Sequence, residues 1–187
     1  MIILGLDQNS KRCGVAIWDT ACRLETILAF SLAIAGDTST EKVDSFHRQF
    51  VDAVRKHKPD YAAFEEPLPN IPDYEVEVTD IAGSYAKRAV NAKSSLVLNR
   101  IAGSAQSILM GFRVPYESVS PETWRKSFLG YGRKKGFKKQ QYKKAAKDQC
   151  RTERIAISNE DEAEAAGIAF WCGRASQKLK MMQARAA

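Results

Sequence analysis

The chain has little of what builds several common functional classes. It carries only two histidines, and both, His47 and His57, fall in one amphipathic segment away from any other ligating pair. Its four cysteines, Cys13, Cys22, Cys150 and Cys172, form no CxxC pair and offer no zinc spacing. They read as free thiols of a reducing compartment. There is no P-loop, no GxGxxG and no internal repeat, and Gly5, Gly14 and Gly103 read as close-packing positions. No apolar run approaches the length of a membrane span. The opening stretch Ile2–Leu6 is too short for a signal-peptide core and has no basic residue ahead of it. A cytoplasmic protein without a membrane segment is the expectation.

What is present is ordinary in amount and uneven in placement. With 187 residues, 44% hydrophobic and 27% charged, the chain is long enough to bury one substantial core. The expectation is one domain over 1–175 with a frayed tail at 176–187. Net charge is +7. Between Trp124 and Arg154 twelve Lys and Arg stand against only Asp148 and Glu153. That segment supplies the whole positive excess. It reads equally as a face for a polyanion such as nucleic acid or as a solvated, solubilising surface.

Hydrophobic patterning predicts strands at 2–7 and 13–18 and a third within 24–34, joined as an antiparallel meander. Val43, Phe46, Phe50 and Val54 predict an amphipathic helix over 41–57. Residues 60–65 predict a buried strand, and Pro67, Pro69 and Pro72 a loop. A weakly patterned helix is expected over 75–92 and a clearer one over 95–112, with Ala102, Gly103 and Ser104 as a small-residue face. A strand follows around Pro115, placed at an edge because proline cannot donate to a ladder. Ser120-Pro121 starts a helix that ends near Gly130. A flexible basic loop, a basic helix over 138–150 and a last helix from Ser158 past Gly173 complete the chain. The fold class expected is α/β, a mixed β-sheet flanked by helices.

Acidic residues close several of these segments. Asp7 ends the first strand, Glu65 the strand 60–65, and Asp161 and Glu164 share one face at the start of the last helix. A carboxylate at the end of a buried strand is costly unless paired or bound to a cation. Hard divalent cations take oxygen ligands, and two such ions can activate water and stabilise the leaving oxygen in phosphodiester hydrolysis. Each acid also has an ordinary explanation. Asp7 can open a turn with Gln8, Asn9 and Ser10. Glu65 can be an exposed strand end. Ser158 and Asp161 match a capping box.

Three stretches together resemble a known family. Ile2-Ile3-Leu4-Gly5-Leu6-Asp7-x-x-Ser10-x-x-x-Gly14-x-Ala16-Ile17, Ala63-Phe64-Glu65-Glu66 and Asp161-Glu162-Ala163-Glu164-Ala165-x-x-Ile168-Ala169 resemble, in order, the motifs of RuvC-type Holliday junction resolvases of the RNase H-like superfamily. Pro121-x-x-Trp124-Arg125 ahead of the basic segment is similar to the phage-type branch. The resemblance covers about residues 1–172. It implies an RNase H-like fold, a homodimer through helix 95–112, Mg²⁺ or Mn²⁺ as cofactor, and hydrolysis of branched DNA in a bacterial or phage setting. It assigns Asp7, Glu65, Asp161 and Glu164 as catalytic metal ligands, with Glu66 as a less favoured neighbour. Arg133, Lys134, Lys135, Lys138, Lys139 and Lys143 become candidate DNA contacts, and Leu68 a candidate wedge, with Tyr74 farther along. The sequence departs from the family where Asp-Pro-Gly is replaced by Asp7-Gln8-Asn9, a place where Asn9 can take a left-handed turn. It departs again where Glu164 stands for the commoner Asp. Nucleases of forks, flaps or RNA–DNA hybrids, and a non-catalytic basic DNA-binding module, remain as alternatives.

Overall fold

A computed structural model describes residues 1–66, 75–79, 85–89 and 92–186. Strands β1 (Ile2–Asp7), β2 (Arg12–Asp19), β3 (Leu28–Ala33), β4 (Tyr61–Glu65) and β7 (Tyr116–Val119) form a five-stranded sheet in the order β3-β2-β1-β4-β7. The first three strands are antiparallel neighbours, whereas β4 runs parallel to both β1 and β7. The order is the mixed sheet expected from the sequence, and the strand beside Pro115 does lie at an edge.

Helices α1 (Ser39–His57) and α2 (Ala92–Gly111) cover one face of the sheet. Helices α3 (Pro121–Leu129), α4 (Lys139–Thr152) and α5 (Glu160–Ala175) cover the other. Strand side chains alternate between these two layers. Leu4, Leu6, Ala62 and Phe64 join the core beneath α1 and α2. Ile3, Tyr61 and Ala63 join the core beneath α5. Period-2 alternation therefore sends Asp7 and Glu65 to the α5 side, and Leu6 pairs with Phe64 in the parallel ladder, which sets the two acids side by side.

Helix α5 lies unusually close to β1 and β2. A Cβ on Gly5 would strike the Ala165 carbonyl oxygen and lie 2.6 Å from the Ala169 nitrogen, and a Cβ on Gly14 would strike the Asp161 carbonyl group. Two glycines facing one helix let its backbone settle directly on the strands. Gly167 does the same on the outer side of α5, where an added Cβ would be 2.7 Å from the Trp124 ring.

Three expectations are corrected. The weak helix placed over 75–92 is replaced by two antiparallel strands, β5 (Glu75–Thr79) and β6 (Tyr85–Ala89). Glu-Val-Glu-Val-Thr alternates with β-branched residues, which is the signature of a strand. The tail expected at 176–187 contains helix α6 (Gln177–Ala186), anchored by the buried Leu179. Asn9 does not take a left-handed conformation. Its side chain instead accepts a hydrogen bond from the Lys11 N–H at 3.2 Å, the Asx-type turn that a short amide supports. The proline loop, Leu68 and Tyr74 have side chains or positions outside the described residues. No helix among the described residues is long and apolar enough to cross a membrane.

Candidate active site

The N-terminus of α5 decides where its acids point. Asn159 is the N-cap, and its Oδ1 accepts hydrogen bonds from the Asp161 and Glu162 N–H groups at 3.0 and 3.1 Å. Glu162 turns back to accept from the Ser158 N–H, from Asn159 Nδ2 and from Ser31 Oγ. The cap read as Ser158 with Asp161 is thus built one residue later, on Asn159, with Glu162 bracing it from the Ser158 N–H and the Asn159 amide. That shift matters because it releases Asp161 from capping. Asp161 and Glu164, one helical step apart, are then free to face the ends of β1 and β4. Asn159→Ala removes the acceptor of two N–H groups, so we expect a loss of about 1–2 kcal/mol in chemical unfolding, with Glu162 left to compensate only in part.

Asp7, Asp161 and Glu164 are all buried, and one ligand oxygen from each lies within 4.8 Å of the others. Glu65 stands beside them but outside that tight group. Burial pushes the Asp7 carboxyl well above its ordinary range, and the nearby Glu164, Glu65 and Asp161 charges push it further. Glu65 is also raised, first by burial, although the Trp124 indole opposes this by donating a 3.0 Å hydrogen bond to Oε2.

Cations partly answer these charges. Lys143 reaches in from α4, with Nζ 2.7 Å from Asp161 Oδ1 and 3.0 Å from Glu164 Oε2. Arg12 Nε donates to Asp161 Oδ2 at 2.8 Å. Arg125 Nη2 lies 3.4 Å from Glu164 Oε1, with its guanidinium 4.8 Å from the centre of the Tyr142 ring. Burial would depress the Lys143 ammonium, but Glu164 and Asp161 outweigh it and hold it above the ordinary lysine range. Burial would likewise raise Asp161, yet hydrogen bonds from Lys143 and Arg12 prevail and keep it low. Asp7 receives no such direct partner among the described residues. Buried like charges this close call for a further cation, and an all-carboxylate set suits a hard divalent ion. The residues therefore fit a hard divalent cation.

The acids open into a cleft of about 710 Å³, whose lining includes Asp7, Glu65, Glu164, Arg125, Lys139 and Lys143. The basic candidates divide. Arg133, Lys134, Lys135, Lys138 and Lys139 are exposed. Arg133 pairs with Glu122, and Lys134 Nζ sits 4.6 Å from the Phe137 ring centre. Lys143 is buried among the carboxylates and is an internal counter-charge in this state. Tyr131, Phe137 and Tyr142 pack on one another. Trp124 and Phe128 are buried core residues, as helix packing predicts. His47 meets Ser104 at 3.1 Å.

No protein-family model and no curated protein sequence matches this chain. Solved structures do. RuvC of T. thermophilus in complex with a Holliday junction substrate matches with a TM-score of 0.62 at 14% identity, over 91% of each chain. The fold is that of RuvC. The yeast mitochondrial Holliday junction resolvase Ydc2 matches at a TM-score of 0.55 and 12% identity, over 98% of this chain and 83% of its own. Fowlpox virus resolvase in complex with Holliday junction DNA gives 0.50 and 14%, over the full length of both chains. In this RuvC-like fold the four acids named from sequence come from β1, β4 and α5 to one end of the sheet. Arg12, Arg125 and the Trp124 indole were not singled out as partners of those acids. Pro121-x-x-Trp124-Arg125 is a sequence signal for two of them, and Arg12 has none.

Proposed function

We propose that this chain is a divalent-cation-dependent endonuclease that cuts Holliday junctions or closely related branched DNA. The observation that carries the reading is the convergence of Asp7, Glu65, Asp161 and Glu164 beside a cleft rimmed by basic side chains. The RuvC-like fold adds weight, because structures of that fold have been solved with Holliday junction DNA bound.

In this reading Asp7, Asp161 and Glu164 hold the cation, and Glu65 completes the set. A bound divalent ion supplies an activated water and charge stabilisation for phosphodiester hydrolysis. The chain's own residues do the rest. Lys139, on the cleft wall, neutralises a flanking phosphate and helps position the scissile bond. Arg12 and Lys143 orient Asp161 and keep it ionised. Exposed Arg133, Lys134, Lys135 and Lys138 extend the phosphate-binding track beyond the cleft. The products are nicked duplexes with 5′ phosphates and 3′ hydroxyls. A homodimer through α2 would present two such sites to a symmetric junction. Gly103 on that helix is open, with nothing near an added Cβ, and Met110 is 66% exposed.

The test is cleavage of an immobile four-way junction with Mg²⁺ and with chelator, beside a fork, a flap, an RNA–DNA hybrid and a linear duplex. We expect the junction to be cut fastest and only with the cation. Binding should fall with salt at a log–log slope of about −3 to −6, roughly one for each phosphate neutralised. Preference for fork, flap or hybrid would reassign the substrate. Salt-sensitive binding without any cleavage would leave a DNA-binding module.

A further inference from the structure

The indole N–H of Trp124 is fully buried, and it donates to Glu65 Oε2 at 3.0 Å. We infer that Trp124 is a positioning residue that fixes the Glu65 carboxylate, and through it the affinity of the site for a divalent cation. The inference rests on the functional reading above only in taking Glu65 as a cation ligand.

The surroundings make Trp124 a rigid donor. Its ring lies against Gly167 of α5, where no side chain could be added without collision. It also carries the Arg125 guanidinium, 5.1 Å from the ring centre. Gly167 is three residues beyond Glu164 on the same helix, so the ring that orients Glu65 is seated on the helix that presents Glu164. Pro121 and the Ser120 cap fix the first turn of α3, which leaves the indole little freedom. Asp161 and Glu164 are each held by cationic side chains. Glu65 is held by a neutral donor that takes up one oxygen. A neutral donor orients a carboxylate without cancelling its charge, so the charge stays available to a cation. Asp7, Asp161 and Glu164 form the tight group within 4.8 Å. Glu65, tied to α3, stands apart from it, and Trp124 sets that separation.

The bland alternative is that Glu65 only satisfies a buried indole. The two cases differ in how Trp124 responds to a cation. The chain has three tryptophans, so a ¹⁵N-labelled sample shows three indole N–H signals. Trp124→Phe assigns one of them by its disappearance. In the wild-type chain that signal should move on Mg²⁺ addition with the same midpoint as cation binding, and the movement should vanish in Glu65→Gln. By calorimetry Trp124→Phe should bind Mn²⁺ about tenfold more weakly, the usual size of an outer-shell effect. In Glu65→Gln the further change Trp124→Phe should cost nothing more. In junction cleavage kcat should fall while KM stays close to wild type. An indole signal that ignores Mg²⁺, or additive losses in the double variant, would overturn this inference and leave the nuclease reading standing. A wild-type chain that binds neither Mg²⁺ nor Mn²⁺ would overturn both.

Discussion

Asp7→Asn protein should lose cleavage by about a thousandfold or more, on the order of 4 kcal/mol of barrier, and yet be more stable than wild type in cation-free buffer. The two effects have one cause. Asp7 is buried, faces Glu164, Glu65 and Asp161, and has no direct cationic partner among the described residues. Only the Lys143 ammonium, not in direct contact, offsets its charge, so without a bound cation burial and the neighbouring carboxylates prevail and that charge opposes folding. Asparagine keeps the shape and removes the charge, so Tm should rise by about 2–4 °C for each kcal/mol of strain relieved. The pH dependence follows from the direction of the shift. A carboxyl raised in the folded state binds its proton more tightly there than in the unfolded chain. Its stabilising contribution is complete below the unfolded value of 3.8 and is lost as pH rises through the elevated folded value. Cation-free wild type should thus gain stability on mild acidification, Glu65 contributing in the same sense. Asp161 acts oppositely, losing stability as pH falls through its lowered value, but only in more acid solution. Mg²⁺ competes with the proton at Asp7, so its stabilising effect should shrink as pH falls. A Tm difference between wild type and Asp7→Asn that ignores both pH and Mg²⁺ would contradict this description of the site.

Gly14→Ala should be among the most damaging single-methyl changes in the molecule. Gly14 pairs with Asp7 across the β1–β2 ladder and faces the Asp161 carbonyl. An added Cβ meets backbone there, not the flexible end of a side chain, so α5 or β2 must move. Overpacking of this kind costs about 1–3 kcal/mol. The displacement falls on the turn of α5 that carries Asp161, so cation affinity should drop together with stability. Gly103→Ala, on open surface of α2, is the matched control and should leave stability almost unchanged or slightly improved, since alanine favours helix more than glycine does. Chemical unfolding of both variants, with and without Mg²⁺, measures the contrast. Equal and small effects at the two positions would mean that α5 does not rest on the strands as closely as described.

The acids themselves were legible because strands alternate and because each closes an apolar run. Period-2 alternation from Ile3 through Gly5 to Asp7, and from Tyr61 through Ala63 to Glu65, already places both on one face of a sheet. The helix spacing of Asp161 and Glu164 places those two on one face of α5. What sequence could not give was which residue caps α5. Asn159 or Ser158 could serve, and only the backbone conformation at Asn159, together with Glu162 folding back onto Ser31, resolves it. Nor could it give the partners of the acids, because Arg12, Trp124 and Lys143 reach the site from three other elements. Lys143 illustrates the difficulty. Within a basic run it looks like its exposed neighbours, and only the helical phase of α4 turns it inward. The strands β5 and β6 are harder to read because each is only five residues long, and Tyr85–Ala89 is built largely of helix-favouring Ala, Lys and Arg.

The measurement that bears most directly on the whole account is calorimetric titration of Mn²⁺ into wild-type, Asp7→Asn and Glu164→Gln protein without DNA. Saturable binding to wild type, reduced about a hundredfold or more in each variant, is the predicted result, because a ligand lost should weaken binding at least as much as an outer-shell partner does. Binding that is absent from wild type, or equal in all three proteins, would mean that these buried carboxylates do not gather around a divalent ion.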